Sequence, residues 1–185
     1  MIRSFFAIDL ESNEIKDKIT SIQKKLADPT GYIAYVAAWN LHLTMKFLGD
    51  IEENIVPALQ KEMAKITLPK FTIEFQGLGC LPSYNRINAI FLDITKGQEE
   101  LKTLAEKIET ACTKFGIKKE DRPFIAHLTI GRVKKIGEKN QLIATIKGMS
   151  QEYFGKMEVK NFKLKKSVLG RDGPTYTNLF EIKLE

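Results

Sequence analysis

Only two histidines occur in this 185-residue chain, and both stand in the same local pattern of His-Leu-Thr followed by an apolar residue: His42-Leu43-Thr44-Met45 and His127-Leu128-Thr129-Ile130. They are 85 residues apart (127 − 42), close to half the chain. Chance would give both histidines the same two followers only about one time in a hundred. Each motif reads as a strand, in which residues i and i+2 share a face. His42 and Thr44 then point together, as do His127 and Thr129, while Leu43, Met45, Leu128 and Ile130 face a core. One neutral imidazole can take a proton while a second, protonated, gives one, because an unperturbed pKa of about 6.5 keeps both states accessible. Threonine hydroxyls can donate hydrogen bonds to phosphate oxygens as charge builds there. The chemistry expected is phosphoryl transfer, and two histidines without carboxylates at ligand spacing make a poor zinc site, so no metal is expected. The competing reading is that each histidine only satisfies a buried hydrogen bond, and the duplication argues against it.

The elements that must hold these residues alternate along the chain. Residues 2–10 read as a strand, and Ser12 opens a helix carrying Ile15, Ile19, Ile22 and Leu26 that ends at Asp28-Pro29-Thr30-Gly31. Residues 32–36 and 42–48 look extended, and a helix over 52–65 follows with Ile55, Leu59, Met63 and Ile66 as its apolar stripe. Strands are expected over 70–78 and 87–95, joined by Pro82-Ser83-Tyr84-Asn85. A helix over 98–115 is capped at Gly116, and a strand over 124–133 and a short helix over 138–147 come next. The chain ends with strands over 157–169 and 175–184 about the turn Gly170-Arg171-Asp172-Gly173-Pro174. Strands outnumber helices and follow one another directly, which predicts an α+β fold with antiparallel sheets.

The net charge of +6 and pI near 9.2 favour a polyanionic partner. Cys80 and Cys112 match no zinc or redox spacing and read as reduced thiols. Without a signal peptide or a membrane-length apolar run, the expected location is the cytoplasm with no membrane attachment, and the default state is a monomer.

The sequence resembles the two-histidine (2H) phosphoesterase superfamily, and within it the RNA 2′,3′-cyclic phosphodiesterases, also called 2′-5′ RNA ligases. The resemblance rests on Arg3-Ser4-Phe5-Phe6-Ala7-Ile8-Asp9, on Asn40 through Gly49, on Pro123 through Arg132, and on Leu169 through Tyr176. It implies a single bilobal domain over residues 1–185 with pseudo-twofold symmetry, each lobe an antiparallel sheet flanked by helices, and a catalytic cleft between them. It also implies hydrolysis of a terminal 2′,3′-cyclic phosphate on RNA, tRNA halves among the candidate substrates, to a 2′-phosphate without metal or nucleotide cofactor. Some relatives also join such an end to a 5′-hydroxyl without ATP. By this analogy His42 is the proton donor to the leaving 3′-oxygen, His127 the base, and Thr44 and Thr129 the phosphate holders. The chain departs from the family at Ala126, where proline is common, and at Phe91, where tryptophan is usual. Neither is expected to touch the proton transfers.

Arg132 and Phe47 each lie five residues past a histidine, so strict alternation puts them on the opposite strand face, and a bulge near Gly131 would return Arg132 to the cleft. Arg132 is then a phosphate contact, its alternative being a solvated strand-end arginine; Phe47 divides between core packing and base stacking, Tyr84 is a candidate substrate contact, and Tyr35 and Arg86 are further ones. The run Lys163-Leu164-Lys165-Lys166 reads as a solvated strand face. Two rival functions remain: a noncatalytic module that captures RNA ends, and a 2H phosphodiesterase for another cyclic or 2′-5′-linked nucleotide. Turnover of a cyclic nucleotide discriminates the first, and side-by-side substrates the second.

Overall fold

Nine strands, four α-helices and two 3₁₀ turns make up the described residues, 1–26, 30–171 and 173–185, of the computed structural model. The expected helix stop at Asp28-Pro29 and Asp172 of the last turn lie outside them. The strands are β1 (Ile2–Asp9), β2 (Tyr32–Tyr35), β3 (His42–Ile51), β4 (Phe71–Ser83), β5 (Arg86–Lys96), β6 (His127–Lys135), β7 (Tyr153–Val159), β8 (Asn161–Gly170) and β9 (Gly173–Lys183). The helices are α1 (Asn13–Lys25), α2 (Val56–Met63), α3 (Gln98–Thr113) and α4 (Lys139–Gly148). Ser12 caps α1 by accepting from the Ile15 amide, and Gly116 takes the left-handed φ of 70° expected beyond α3.

All strand pairs are antiparallel and fall into two sheets, ordered β3-β1-β8-β9 and β2-β6-β5-β4-β7. Helices α2 and α3 pack on the four-stranded sheet, and α1 and α4 on the five-stranded one. The α+β expectation is therefore met, but the lobes are not the two halves of the sequence. Helix α1 leaves β1 to cover the other sheet, and α3 leaves β5 to do the same in reverse. The strand expected over 157–169 is two strands in different sheets: β7 pairs with β4, β8 pairs with β1, and the chain crosses at Lys160. The Lys160 carbonyl accepts from the Leu184 amide there, leaving it unavailable to either ladder.

Two smaller differences have local causes. The helix expected over 52–65 starts as a 3₁₀ turn at Glu53–Ile55 and becomes α-helical from Val56, with Pro57 in its first turn. The strand expected from 124 begins at His127, because Pro123 has no amide for a ladder and the Ile125 carbonyl is taken by the His127 ring.

One apolar core fills both lobes, running from Phe6 and Ile8 of β1 through Leu43, Phe75, Ile90, Leu128 and Phe162. Cys112 is buried within it, and burial pushes its thiol up to about 12. Both cysteines are free thiols, as expected. Among the described residues, no helix is long and apolar enough to cross a membrane.

Candidate active site

The two histidines open equivalent strands, β3 and β6, whose Cα atoms approach within 8 Å of one another across the seam between the sheets. Burial along the first nine residues of each strand is the same, position by position: half-buried His and Thr alternate with buried Leu and Met or Ile. The register is shared too. Asp9 of β1 lies opposite His42, and Asp93 of β5 lies opposite His127.

Each strand then breaks its alternation at the same place. In the first sheet Ala7 pairs with Thr44 and Phe6 with Lys46, which leaves Met45 as an extra residue. In the second, Phe91 pairs with Thr129 and Ile90 with Gly131, which leaves Ile130 extra. Each is a β-bulge that turns two consecutive residues inward and brings the next one back to the histidine face. Phe47 and Arg132 are those next residues, and both are exposed. Strict alternation is thus overturned for both by the same bulge. Phe47 packs 6.0 Å from Phe5, which itself lies 5.1 Å from the His42 ring. Arg132, though carried by the other sheet, is close enough to act electrostatically on His42 and on Tyr176.

Each imidazole is locked by the carbonyl two residues before it. His42 Nδ1 lies 2.6 Å from the Asn40 carbonyl oxygen, and His127 Nδ1 lies 2.8 Å from that of Ile125. A carbonyl only accepts, so Nδ1 carries the hydrogen in both rings and Nε2 is left to do chemistry. Both rings also meet aromatic edges. Tyr176 stands edge-on to His42 at 5.2 Å, and Phe91 edge-on to His127 at 5.5 Å. The expectation that Phe91 lies clear of the proton-transfer residues is therefore corrected. Its ring packs on one of them and lies across Gly79, where any Cβ would collide with it.

Burial pushes the His42 imidazole below its usual value, and Lys165 and Arg132 push the same way; the Asn40 hydrogen bond and Asp9 oppose them. Tyr176 is pushed up by burial, against Arg132 and Arg3, so its hydroxyl keeps its proton and can donate. Beneath His42, Asp9 accepts from Lys165 at 2.6 Å and Lys163 at 3.0 Å. Burial of Asp9 raises its carboxyl, but the two lysine hydrogen bonds outweigh this and hold it below the usual range. Lys163 and Lys165 are therefore not a solvated strand face. Lys165 is buried and Lys163 half-buried as partners of an aspartate, and the antiparallel pairing of β1 and β8 brings them there.

Tyr84 is placed in the tight β4–β5 turn, with the Lys147 ammonium of α4 5.0 Å above its ring, so it is engaged with α4 rather than with either histidine. Tyr35 pairs with Gly131 on β6, and Arg86 starts β5 beside Ser83. Sequence reasoning missed Phe5, Asp9, Lys165 and Tyr176 as neighbours of His42. The first and last lie inside the Arg3–Asp9 and Leu169–Tyr176 segments, but only sheet pairing brings them to the ring. Among the described residues, no group of three or more His, Cys, Asp or Glu side chains gathers as a metal site requires.

Two histidines with matched ring locks, each opening one of two adjoining strands from different antiparallel sheets, are the pattern of a two-histidine phosphoesterase. The sequence pattern of the 2′-5′ RNA ligase superfamily matches residues 11–166, and the chain belongs to that family. Among its relatives, the RNA 2′,3′-cyclic phosphodiesterase of Archaeoglobus fulgidus is 36% identical over 179 residues, covering 96% of this chain and 98% of the relative. That of Methanocaldococcus jannaschii is 33% identical over 175 residues, with 95% and 96% covered. Among solved structures, TT0787 of Thermus thermophilus superposes with a TM-score of 0.81 at 26% identity, covering 98% of this chain and 97% of that one. E. coli LigT complexed with 3′-AMP superposes at 0.77 with 27% identity, covering 99% and 98%.

Proposed function

We propose that the protein is an RNA 2′,3′-cyclic phosphodiesterase that opens a terminal cyclic phosphate to a 2′-phosphate by metal-independent acid–base catalysis. The observation that carries this reading is the matched pair of ring locks, which leaves both Nε2 atoms free on facing strands. His127 Nε2 takes a proton from water, whose oxygen attacks phosphorus. The bond from phosphorus to the 3′-oxygen breaks in line with the attack, and His42 Nε2–H gives its proton to that oxygen. Thr44, Thr129 and Arg132 hold the non-bridging oxygens. Burial and, to a lesser degree, Lys165 and Arg132 disfavour the charged form of His42 in the free protein, and an arriving phosphate anion opposes them, so His42 takes up its proton together with the substrate. The same forward attack, with a 5′-hydroxyl in place of water, breaks the same bond to the 3′-oxygen and would join the ends 2′-5′ without ATP.

The test is an oligoribonucleotide ending in a 2′,3′-cyclic phosphate, incubated with the purified protein in EDTA beside His42→Ala and His127→Ala. Wild type should yield a 2′-phosphate, and each variant should lose on the order of 10²–10⁴ in rate while remaining folded. Near wild-type turnover by either variant, or none by folded wild type, would overturn the reading.

A further inference from the structure

The chain has a single tryptophan, Trp39, and it is 83% exposed. Tryptophan is among the more buried residue types on average, so an indole left in water on a rigid segment calls for a partner. The segment here is rigid. Trp39 sits in the 3₁₀ turn Ala38–Asn40, closed by the Asn40 amide donating to the Ala37 carbonyl. The Val36 amide is bonded to the Ile130 carbonyl of β6, and the Gln23 side chain donates to the carbonyls of both Val36 and Ile130. At its other end Asn40 accepts from His42, and its side-chain amide donates to the Pro174 carbonyl of the β8–β9 hairpin. The backbone is pinned to both sheets and to the hairpin, while the indole is left free of the core.

Three residues separate Trp39 from His42. At no more than about 3.6 Å per residue, their Cα atoms are within about 11 Å, the span of roughly three stacked bases at about 3.4 Å each. The hairpin that Asn40 grips carries exposed Leu169, paired with Pro174, and exposed Arg171. An aromatic face, with an apolar side chain and a cation on the hairpin that Asn40 holds, suits a base and its phosphate. The direction also agrees. Water and leaving oxygen stand on opposite sides of phosphorus, so the ribose whose 3′-oxygen leaves lies beside His42. The strand 5′ to it then exits over the sheet that carries His42, where Trp39 stands.

We propose that Trp39, with Arg171 on the hairpin that Asn40 grips, is a stacking platform for the nucleotide 5′ to the cyclic-phosphate terminus, making the enzyme selective for single-stranded RNA over mononucleotides. This rests on the functional reading above, including the assignment of His42 to the leaving oxygen.

Trp39→Ala and Trp39→Phe would be compared with wild type on a nucleoside 2′,3′-cyclic monophosphate and on a short oligoribonucleotide with the same cyclic end. Trp39→Ala should raise KM for the oligonucleotide about tenfold with kcat unchanged, shift the mononucleotide constants less than about twofold, and be largely rescued by phenylalanine. The indole emission of wild type should be quenched by the oligonucleotide 2′-phosphate product and not by the mononucleotide product. Equal loss on both substrates, or no loss on the oligonucleotide, would overturn the platform while leaving the hydrolase reading intact. So would a dimer that Trp39→Ala dissolves with oligonucleotide kinetics unchanged, which would assign the patch to a second copy. If wild type turns over neither substrate, the functional reading itself fails.

Discussion

His42 sits among charged and polar groups contributed by four strands besides its own: Asp9 from β1, Lys163 and Lys165 from β8, Tyr176 from β9 and Arg132 from β6. Its lowered pKa means that free protein at neutral pH holds this imidazole uncharged, and protonation sets in only as pH falls below about 6.5. A general acid must be protonated, so kcat/KM should fall on the alkaline side through an apparent pKa below about 6.5. Replacing Lys165 by Met removes a cation that disfavours the imidazolium, so the His42 limb should move upward. Asp9 keeps Lys163 as a partner in that variant, which limits the structural damage. Measuring kcat/KM from about pH 4 to 9 on wild type and Lys165→Met checks the sign, and a limb that stays put would detach the buried cluster from catalysis.

At the scale of elements, the paired bulges and the packing beneath them decide where the chemistry points. Met45 and Lys46 both turn inward at the first bulge, and Lys46 is only 3% exposed. Its ammonium meets Glu109 of α3 at 2.7 Å and donates to the Lys118 carbonyl, tying β3 to the helix behind it. Removing the carboxylate leaves a buried charge without its counter-ion, whereas replacing the lysine by an apolar chain removes the charge itself. Glu109→Ala should therefore cost about 3–5 kcal/mol of stability in urea unfolding, and Lys46→Met less than half of that. In the other sheet, Gly79 leaves room for Phe91, whose ring packs against that of His127. Gly79→Ala should displace Phe91 and reduce kcat by about tenfold or more, with the unfolding transition still cooperative. Retained kcat would show that the His127 lock to Ile125 suffices without the aromatic edge.

For the whole molecule, the two groups at the seam whose pKa values are lowered, Asp9 and His42, pull stability in one direction. Asp9 is held below its usual value, so its contribution is present above the unfolded carboxylate pKa of about 4 and is lost as pH falls through the folded value. His42 is also held low, so the unfolded chain takes up its proton first and stability declines as pH falls below about 6.5. Together they predict a fold that weakens toward acid, through His42 below about pH 6.5 and through Asp9 below about pH 4. Urea midpoints should fall progressively between about pH 7 and pH 3, with Asp9→Asn flattening the part of the curve below about pH 4.

The sequence by itself determined the α+β class and which histidines and threonines share a strand face. Histidine is rare here, its context is duplicated, and the period of two along a strand assigns faces without any tertiary information. Element positions were legible wherever periodicity was strong, as in α1 and α3. What only the tertiary structure decided was everything set by pairing between distant segments. Arg132 and Phe47 return to the histidine face because a bulge inserts one residue against a partner strand, and a bulge exists only in relation to that partner. Lys165 is buried and Lys163 half-buried because β8 lies beside β1, which brings them to Asp9, 154 residues away for the Lys163 contact. The crossing at Lys160, which splits one expected strand between two sheets, likewise follows from which strand each half pairs with, and local apolar pattern carries no such information.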